Sequence, residues 1–260
     1  MKMLRTRYQL GAGLVCFVTS GLALAEVSFI PRVSTGIVEY SLTTPAVPLK
    51  GGGTFPKYRA DRTLYLIGVG GTVSKDRFYM DVYAQTTTED DNTLNASGLG
   101  YQETFDGKRD DYSISFGYAV TDDALLYAGY KYGKSSTEGK KGSKSDFKED
   151  GLFVGGAYGW LIKDLGVLSL NVAIAKLDGN VKFENNLLPI NGTAETVGVT
   201  YGVAWKANID ESLGYGVSLN YYNYVFDDLK DKRLGNVGGE IEEKMLTLRM
   251  SLSYAIDAYF

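Results

Sequence analysis

The sequence predicts an all-β protein: a transmembrane, antiparallel, up-and-down β-barrel of ten strands, with eight and twelve as the neighbouring even numbers. Three observations carry this. Apolar and polar residues alternate with a period of two along almost the whole chain. The segments joining the alternating runs are short and long in turn, and the first 25 residues have the form of an export signal.

That leading segment has three parts: the cations Lys2, Arg5 and Arg7, an apolar stretch from Leu10 to Val18, and the small-residue site Ala23-Leu24-Ala25. Thr19 and Ser20 interrupt the apolar stretch, and it falls short of the roughly 18 apolar residues a spanning helix needs. Cleavage after Ala25 is therefore expected, which leaves residues 26–260 as a single barrel domain. The one cysteine, Cys16, leaves with the signal, and the preceding Leu14-Val15 lacks the small residue expected before a lipidated cysteine. The mature chain then has no thiol, disulfide or cysteine metal site. Removing Lys2, Arg5 and Arg7 from the 27 Lys+Arg leaves 24 against 31 Asp+Glu, a net charge of −7. An acidic chain without a basic stripe argues against nucleic acid as a partner.

The last strand shows the period most clearly. Leu246, Leu248, Met250, Leu252, Tyr254, Ile256, Ala258 and Phe260 fall on one face, and Thr247, Arg249, Ser251, Ser253, Ala255, Asp257 and Tyr259 on the other. Fifteen residues is long for a strand of a soluble sheet. A terminal Phe260 preceded by Ala258, Ile256, Tyr254 and Leu252 resembles the C-terminal assembly signal of bacterial outer-membrane β-barrels. The resemblance implies an outer-membrane location and recognition by the barrel-assembly machinery, and it covers the last strand specifically.

Nine upstream runs alternate in the same way: 34–42, 63–73, 78–87, 112–120, 125–133, 152–161, 167–176, 196–206 and 213–224. Each is close to the roughly 9 to 11 residues a tilted strand needs to cross a bilayer, and with the last run they make an even ten. Four short, polar, turn-forming connections centre on 74–76, 121–123, 163–164 and 208–210. Five long ones span 43–62, 88–111, 134–150, 177–195 and 225–243. This predicts five long external loops, four tight periplasmic turns and both termini at the periplasmic end.

Lipid-facing positions must be apolar, because a charge at the bilayer midplane costs about 2 to 4 kcal/mol. The third run complies, with Phe78, Met80, Val82 and Ala84 opposite Tyr79, Asp81, Tyr83 and Gln85. Tyr130, Tyr132, Tyr158, Trp160 and Trp205 lie near strand ends on lipid-facing parity and read as interface aromatics. In the second run both faces are apolar, Leu64 and Leu66 against Tyr65, Ile67 and Val69, so its parity stays open. Inward faces combine glycines with Tyr79, Tyr83, Tyr127, Tyr222 and Tyr224, a pairing that would fill a narrow barrel. The ionisable residues expected in the lumen are Glu39, Asp81, Lys131, Lys206, Arg249 and Asp257. Glu39 and Arg249, on the two strands that close the barrel, are expected to form an ion pair.

The chain contains no histidine. That removes the base used by serine, cysteine and histidine–aspartate hydrolases and any histidine zinc site, leaving carboxylates or lysine as the only routes to catalysis. The acid clusters Glu89-Asp90-Asp91, Asp110-Asp111 and Asp227-Asp228 fall at loop edges and read as solvated charge. No catalytic residue, metal or cofactor is assigned. Three functions compete: a largely filled barrel with a structural or adhesin-like role through its external loops, a narrow passive channel for small solutes or ions, and a histidine-independent enzyme. The partners expected are outer-membrane lipid and lipopolysaccharide, and the barrel is read as a monomer.

Overall fold

The computed structural model describes residues 27–48, 54–55, 57–88, 90–96, 101–139, 144–163, 165–184, 190–232, 235–236 and 238–258. Ten long strands run up and down: β1 Val27–Thr44, β2 Tyr58–Lys75, β3 Phe78–Thr87, β4 Tyr101–Ala119, β5 Ala124–Gly139, β6 Lys144–Ile162, β7 Gly166–Glu184, β8 Ile190–Asn208, β9 Leu213–Asp231 and β10 Ile241–Tyr254. Each pairs antiparallel with its neighbours in sequence, and β1 pairs with β10 to close the ring. The closing register sets Gly36 against Arg249 and Ile37 against Leu248, and Ile256–Ala258 continues the last strand beside Val27–Phe29. Closure is what a bilayer demands, since no water is available in the hydrocarbon to satisfy an open sheet edge.

The strands are longer than the alternating runs suggest. Much of what reads as external loop is strand: β5 continues to Gly139 and β6 begins at Lys144, inside the segment 134–150. Likewise Asp90–Ala96 pairs with Tyr101–Gly107 and carries the second hairpin upward beyond β3. The cause is visible on β7. Its outward residues are apolar through Leu170, Val172 and Ile174, then become Lys176, Asp178, Asn180, Lys182 and Glu184 while the inward ones keep a strict alternation. A period of two with polar outer residues describes a strand standing in water as well as it describes a loop. Nineteen residues span about 60 Å along the strand. Tilted by about 40°, they rise well above the apolar band, which is about 25 Å tall.

The lower ends are fixed by local chemistry. The Asp210 carboxylate accepts the backbone N–H groups of Ser212 (2.8 Å) and Leu213 (2.7 Å), which close the β8–β9 turn and hold this exposed carboxyl below its ordinary pKa. Thr121 Oγ1 accepts the N–H of Ala124 (2.9 Å) in the β4–β5 turn. At the upper end β9 carries a bulge: Asp228 adopts φ 53°, the pairing with β8 shifts between Thr193 and Glu195, and the inward parity passes to Leu229 and Asp231.

The open parity of β2 resolves with Leu64 (2 % exposed) and Leu66 (0 %) inward and Tyr65, Ile67 and Val69 outward. Glu39 is the opposite case. It lies on the outward face of β1, between the buried Val38 and Tyr40, and accepts a hydrogen bond from Thr63 Oγ1 at 2.9 Å, so the expected lumenal position is corrected. A shift of one residue reverses the face, and Glu39 is the first polar outward position above Ile37.

Inside the barrel, tyrosines lie over glycines. Tyr224 of β9 covers Gly198 of β8, and Tyr79 of β3 covers Gly117 of β4, in each case so closely that an added Cβ would collide with the ring. Gly198→Val should therefore lower stability by about 1 to 3 kcal/mol through overpacking. A fall in the detergent unfolding midpoint is the expected reading, whereas the same substitution at the outward Gly156, with ordinary space around it, should leave the midpoint nearly unchanged.

Candidate functional site

The lumen is filled in two tiers with a chamber between them. The upper tier, toward the long-loop end, is an apolar plug containing Val38, Leu64, Leu66, Phe147, Leu177, Tyr224, Phe226, Ile241 and Met245. Leu66, Leu177 and Phe226 are wholly inaccessible, and Phe147 meets Phe226 edge to face at 5.1 Å. The lower tier groups Tyr79, Leu125, Tyr127, Ala157 and Ala173, with Phe153 packed against it. Between them lies a cavity of about 180 Å³ bounded by Tyr83, Tyr127, Phe153, Tyr222, Met245 and Arg249 among others.

Set into the plug is an ionic cluster centred on Arg109 of β4, which is 1 % exposed. Its Nη1 donates to Glu243 Oε1 of β10 (2.6 Å) and to Ser135 Oγ of β5 (2.9 Å). Its Nη2 donates to Glu149 Oε1 of β6 (2.8 Å), and its Nε to Asp111 Oδ1 (3.0 Å). The guanidinium also lies 5.6 Å from the centre of the Tyr40 ring. Lys131 of β5 donates to Glu149 Oε1 (2.8 Å) and to the Tyr224 hydroxyl (3.1 Å), 4.2 Å from that ring's centre. Glu149 and Glu243 are both completely buried. Charges taken out of water this thoroughly persist only when paired and hydrogen-bonded, and a guanidinium supplies enough donors to hold three carboxylates at once.

The cluster extends downward. Asp111 Oδ2 accepts from Gln85 Nε2 (2.8 Å), and Gln85 Oε1 accepts from Arg249 Nη2 (2.6 Å). Arg249 lies over the Tyr83 ring at 4.6 Å, and Arg32 lies against the same ring at 5.1 Å. Arg32 binds Asp81 through both carboxylate oxygens, at 2.6 and 2.8 Å, while Thr72 donates to the same carboxylate at 2.5 Å.

Of the ionisable residues expected in the lumen, Asp81, Lys131, Lys206 and Arg249 point inward, and Glu39 does not. The Glu39–Arg249 pair is absent: Arg249 is bound to Gln85, and Glu39 faces outward across the wall. The side chains of Asp257 and Ala258, and all of Phe260, lie outside the described residues, as does the signal segment. Leu252, Tyr254 and Ile256 are exposed on the outer face of β10 and its continuation. Tyr130 and Tyr132 stand at the upper edge of the apolar band and Tyr158, Trp160 and Trp205 at the lower. Tyr130, Tyr158 and Trp160 are about 44 % exposed, and Tyr132 and Trp205 are half-buried. Arg109, Glu149 and Glu243, the core of the ionic cluster, lie in segments that read as loop. The signal that could have found them is the continued alternation Phe147, Glu149, Gly151 against Lys148, Asp150, Leu152.

Arg109→Met should be costly, because it takes the shared cation from Asp111, Glu149 and Glu243 and leaves Lys131, bound to Glu149, as the cation that remains in the cluster. A loss of about 3 to 5 kcal/mol is expected. Adding Glu149→Gln and Glu243→Gln should restore part of it, and chemical denaturation in detergent micelles measures both. Equal stability of the single and triple variants would show that the cluster is not held by charge.

No protein-family model matches the chain, and no curated protein matches it in sequence. Its fold is similar to that of the outer membrane protease OmpT from Escherichia coli, with a TM-score of 0.64 at 12 % identity over 88 % of this chain and 97 % of that one. Superpositions on the attachment invasion locus protein Ail of Yersinia pestis (TM-score 0.37, 12 % identity, 90 % and 100 % covered) and on OprG of Pseudomonas aeruginosa (TM-score 0.39, 9 % identity, 90 % and 97 % covered) are looser. Ten closed antiparallel strands, a continuous apolar outer band and the fold shared with OmpT together make the chain a transmembrane β-barrel in fold.

Proposed function

We propose that this barrel is a closed, non-conducting scaffold whose activity is surface interaction, carried by its external loops and by the strand ends that raise them above the lipid. The observation that carries this reading is the plug. Among the described residues, Leu66, Leu177, Phe226, Glu149 and Glu243 are all at 0 % exposure across the upper lumen, which supports a closed upper end. Barrels near eight strands are narrow enough for side chains to fill them, and aqueous porins need about 16 to 18.

The same burial argues against catalysis. Glu149 and Glu243 are the carboxylates in the lumen closest to an acid–base pair, and they are sealed from any substrate. The similarity to a protease is one of fold, and fold alone does not transfer an activity.

What is exposed above the band is a mixed ladder of charge. Lys134, Lys148, Lys176 and Lys244 stand one or two outward positions above it, beside Asp146, Glu195 and Glu242. That is the height of headgroup phosphates, for which ammonium groups are suited, so lipopolysaccharide is the first partner we assign. The export signal and the terminal strand fit passage through the periplasm and delivery by the barrel-assembly machinery.

In planar bilayers the purified protein should pass no current at any voltage, and replacing the plug residues Leu66, Leu177 and Phe226 together by alanine should produce one. Steady current through the unmodified protein would overturn the closed reading and favour the narrow channel, for which the 180 Å³ chamber is the supporting feature. Beads coated with lipopolysaccharide should retain the detergent-solubilised barrel at low salt and lose most of it when the four lysines become glutamine. Unchanged retention by that variant would remove the lysines from the interaction.

A further inference from the structure

The chamber between the two tiers is large for a packed interior. Close-packed cores hold few voids bigger than a water molecule, yet this one measures about 180 Å³. An engineered apolar cavity of about 150 Å³ in another protein takes a benzene molecule. The wall here suits a ring of that size. Tyr83 of β3, Tyr127 of β5, Phe153 of β6 and Tyr222 of β9 all line it, so aromatic side chains reach the chamber from four strands. Tyr127 and Phe153 already meet edge to face at 6.1 Å, and a further ring beside such a pair gains by offset stacking or edge contact.

Five charged side chains also line the chamber, and four of them are matched. Arg32 is paired with Asp81, Asp111 with Arg109, and Lys131 with Glu149. Arg249 is the exception, with no carboxylate partner among the described residues. Its Nη2 donates to the neutral Gln85 Oε1 at 2.6 Å, and the guanidinium lies 4.6 Å from the centre of the Tyr83 ring. Its Nε is buried without an acceptor. A charged donor in that position is costly until something accepts from it.

We propose that the chamber is a binding site for a single-ring aromatic carboxylate of the benzoate class, its ring among Tyr83, Tyr127, Phe153 and Tyr222 and its carboxylate on Arg249. The two halves of the ligand answer the two halves of the wall. A neutral ring leaves the guanidinium unmatched, an inorganic anion leaves the aromatic faces bare, and water supplies neither charge nor apolar contact. A guanidinium is also the side chain whose shape best fits a carboxylate, which it holds through two parallel N–H···O bonds. The site needs the chamber alone. It stands whether or not the upper lumen conducts, and it is separate from the lysines on the outer face.

The test uses the full barrel in detergent, with the ligand present during refolding and, in a second series, added afterwards. Benzoate should raise the unfolding midpoint over acetate at equal ionic strength by roughly 3 to 6 °C at ten times its dissociation constant. Cyclohexanecarboxylate lacks the aromatic face and benzyl alcohol lacks the charge, so each should bind about fivefold more weakly or worse. Arg249→Gln should weaken benzoate about tenfold and leave benzyl alcohol unchanged. Crystals of the unmodified barrel grown with benzoate should show the ring in the chamber and the carboxylate on Arg249. The assignment is overturned by a midpoint no higher in benzoate than in acetate in both series, by benzoate binding that survives Arg249→Gln, or by crystals with benzoate only on the outer surface.

Discussion

Everything in this molecule follows from the pairing of β1 with β10. A transmembrane sheet has no tolerable edge, so the first and last strands must meet, and the register Gly36 to Arg249 fixes how far each strand is offset from the next. The offset sets the diameter, and a ring of ten strands leaves an interior that side chains can fill. Tyrosines lie over glycines at mid-height, while Leu, Phe and Met pack together in the upper lumen. The outer surface is decided by the same parity: Val33, Ile37, Ile67 and Val69 are lipid-facing because Ser34, Val38, Leu66 and Gly68 are not.

Within that frame seven polar residues of the interior form one connected system. From Arg249 through Gln85 and Asp111 to Arg109, and from there through Glu149 to Lys131 and Tyr224, each link is a hydrogen bond of 3.1 Å or less, and the residues come from six strands. Apolar packing alone would tolerate a slip of two residues in any strand, since parity is preserved. A guanidinium bonded to three particular carboxylates tolerates none. The network therefore contributes specificity of register more than it contributes net stability, in keeping with the modest balance between desolvation and attraction for buried ions.

Much of the fold was legible in the sequence, because the pattern of a membrane barrel is written at every second residue. The ten runs, the four turns and the outward faces of β3 and β4 could be read directly. The lumen was less legible, for two physical reasons. Leu64 and Leu66 are apolar because they belong to the buried cluster that also contains Phe147 and Phe226 of distant strands, and nothing local distinguishes that from facing lipid. Arg109, Glu149 and Glu243 sit where the outer face turns hydrophilic, and there a strand standing in water looks like a loop. Glu39 failed for the same reason: above Ile37 a polar residue on the outward face is permitted, so polarity no longer marks the lumen.

The cluster at Arg109 also bears on how the barrel comes to be assembled. Nine of the ten strand pairings join neighbours in sequence, so hairpins can add one after another at little entropic cost, and the closing pair is the lone long-range step. Arg109 and Glu149 can meet as soon as β4, β5 and β6 are side by side. Glu243 arrives only with the final strand. The bond from Arg109 to Glu243 crosses the lumen from the fourth strand to the last, so it reports directly on whether the final strand is in its place.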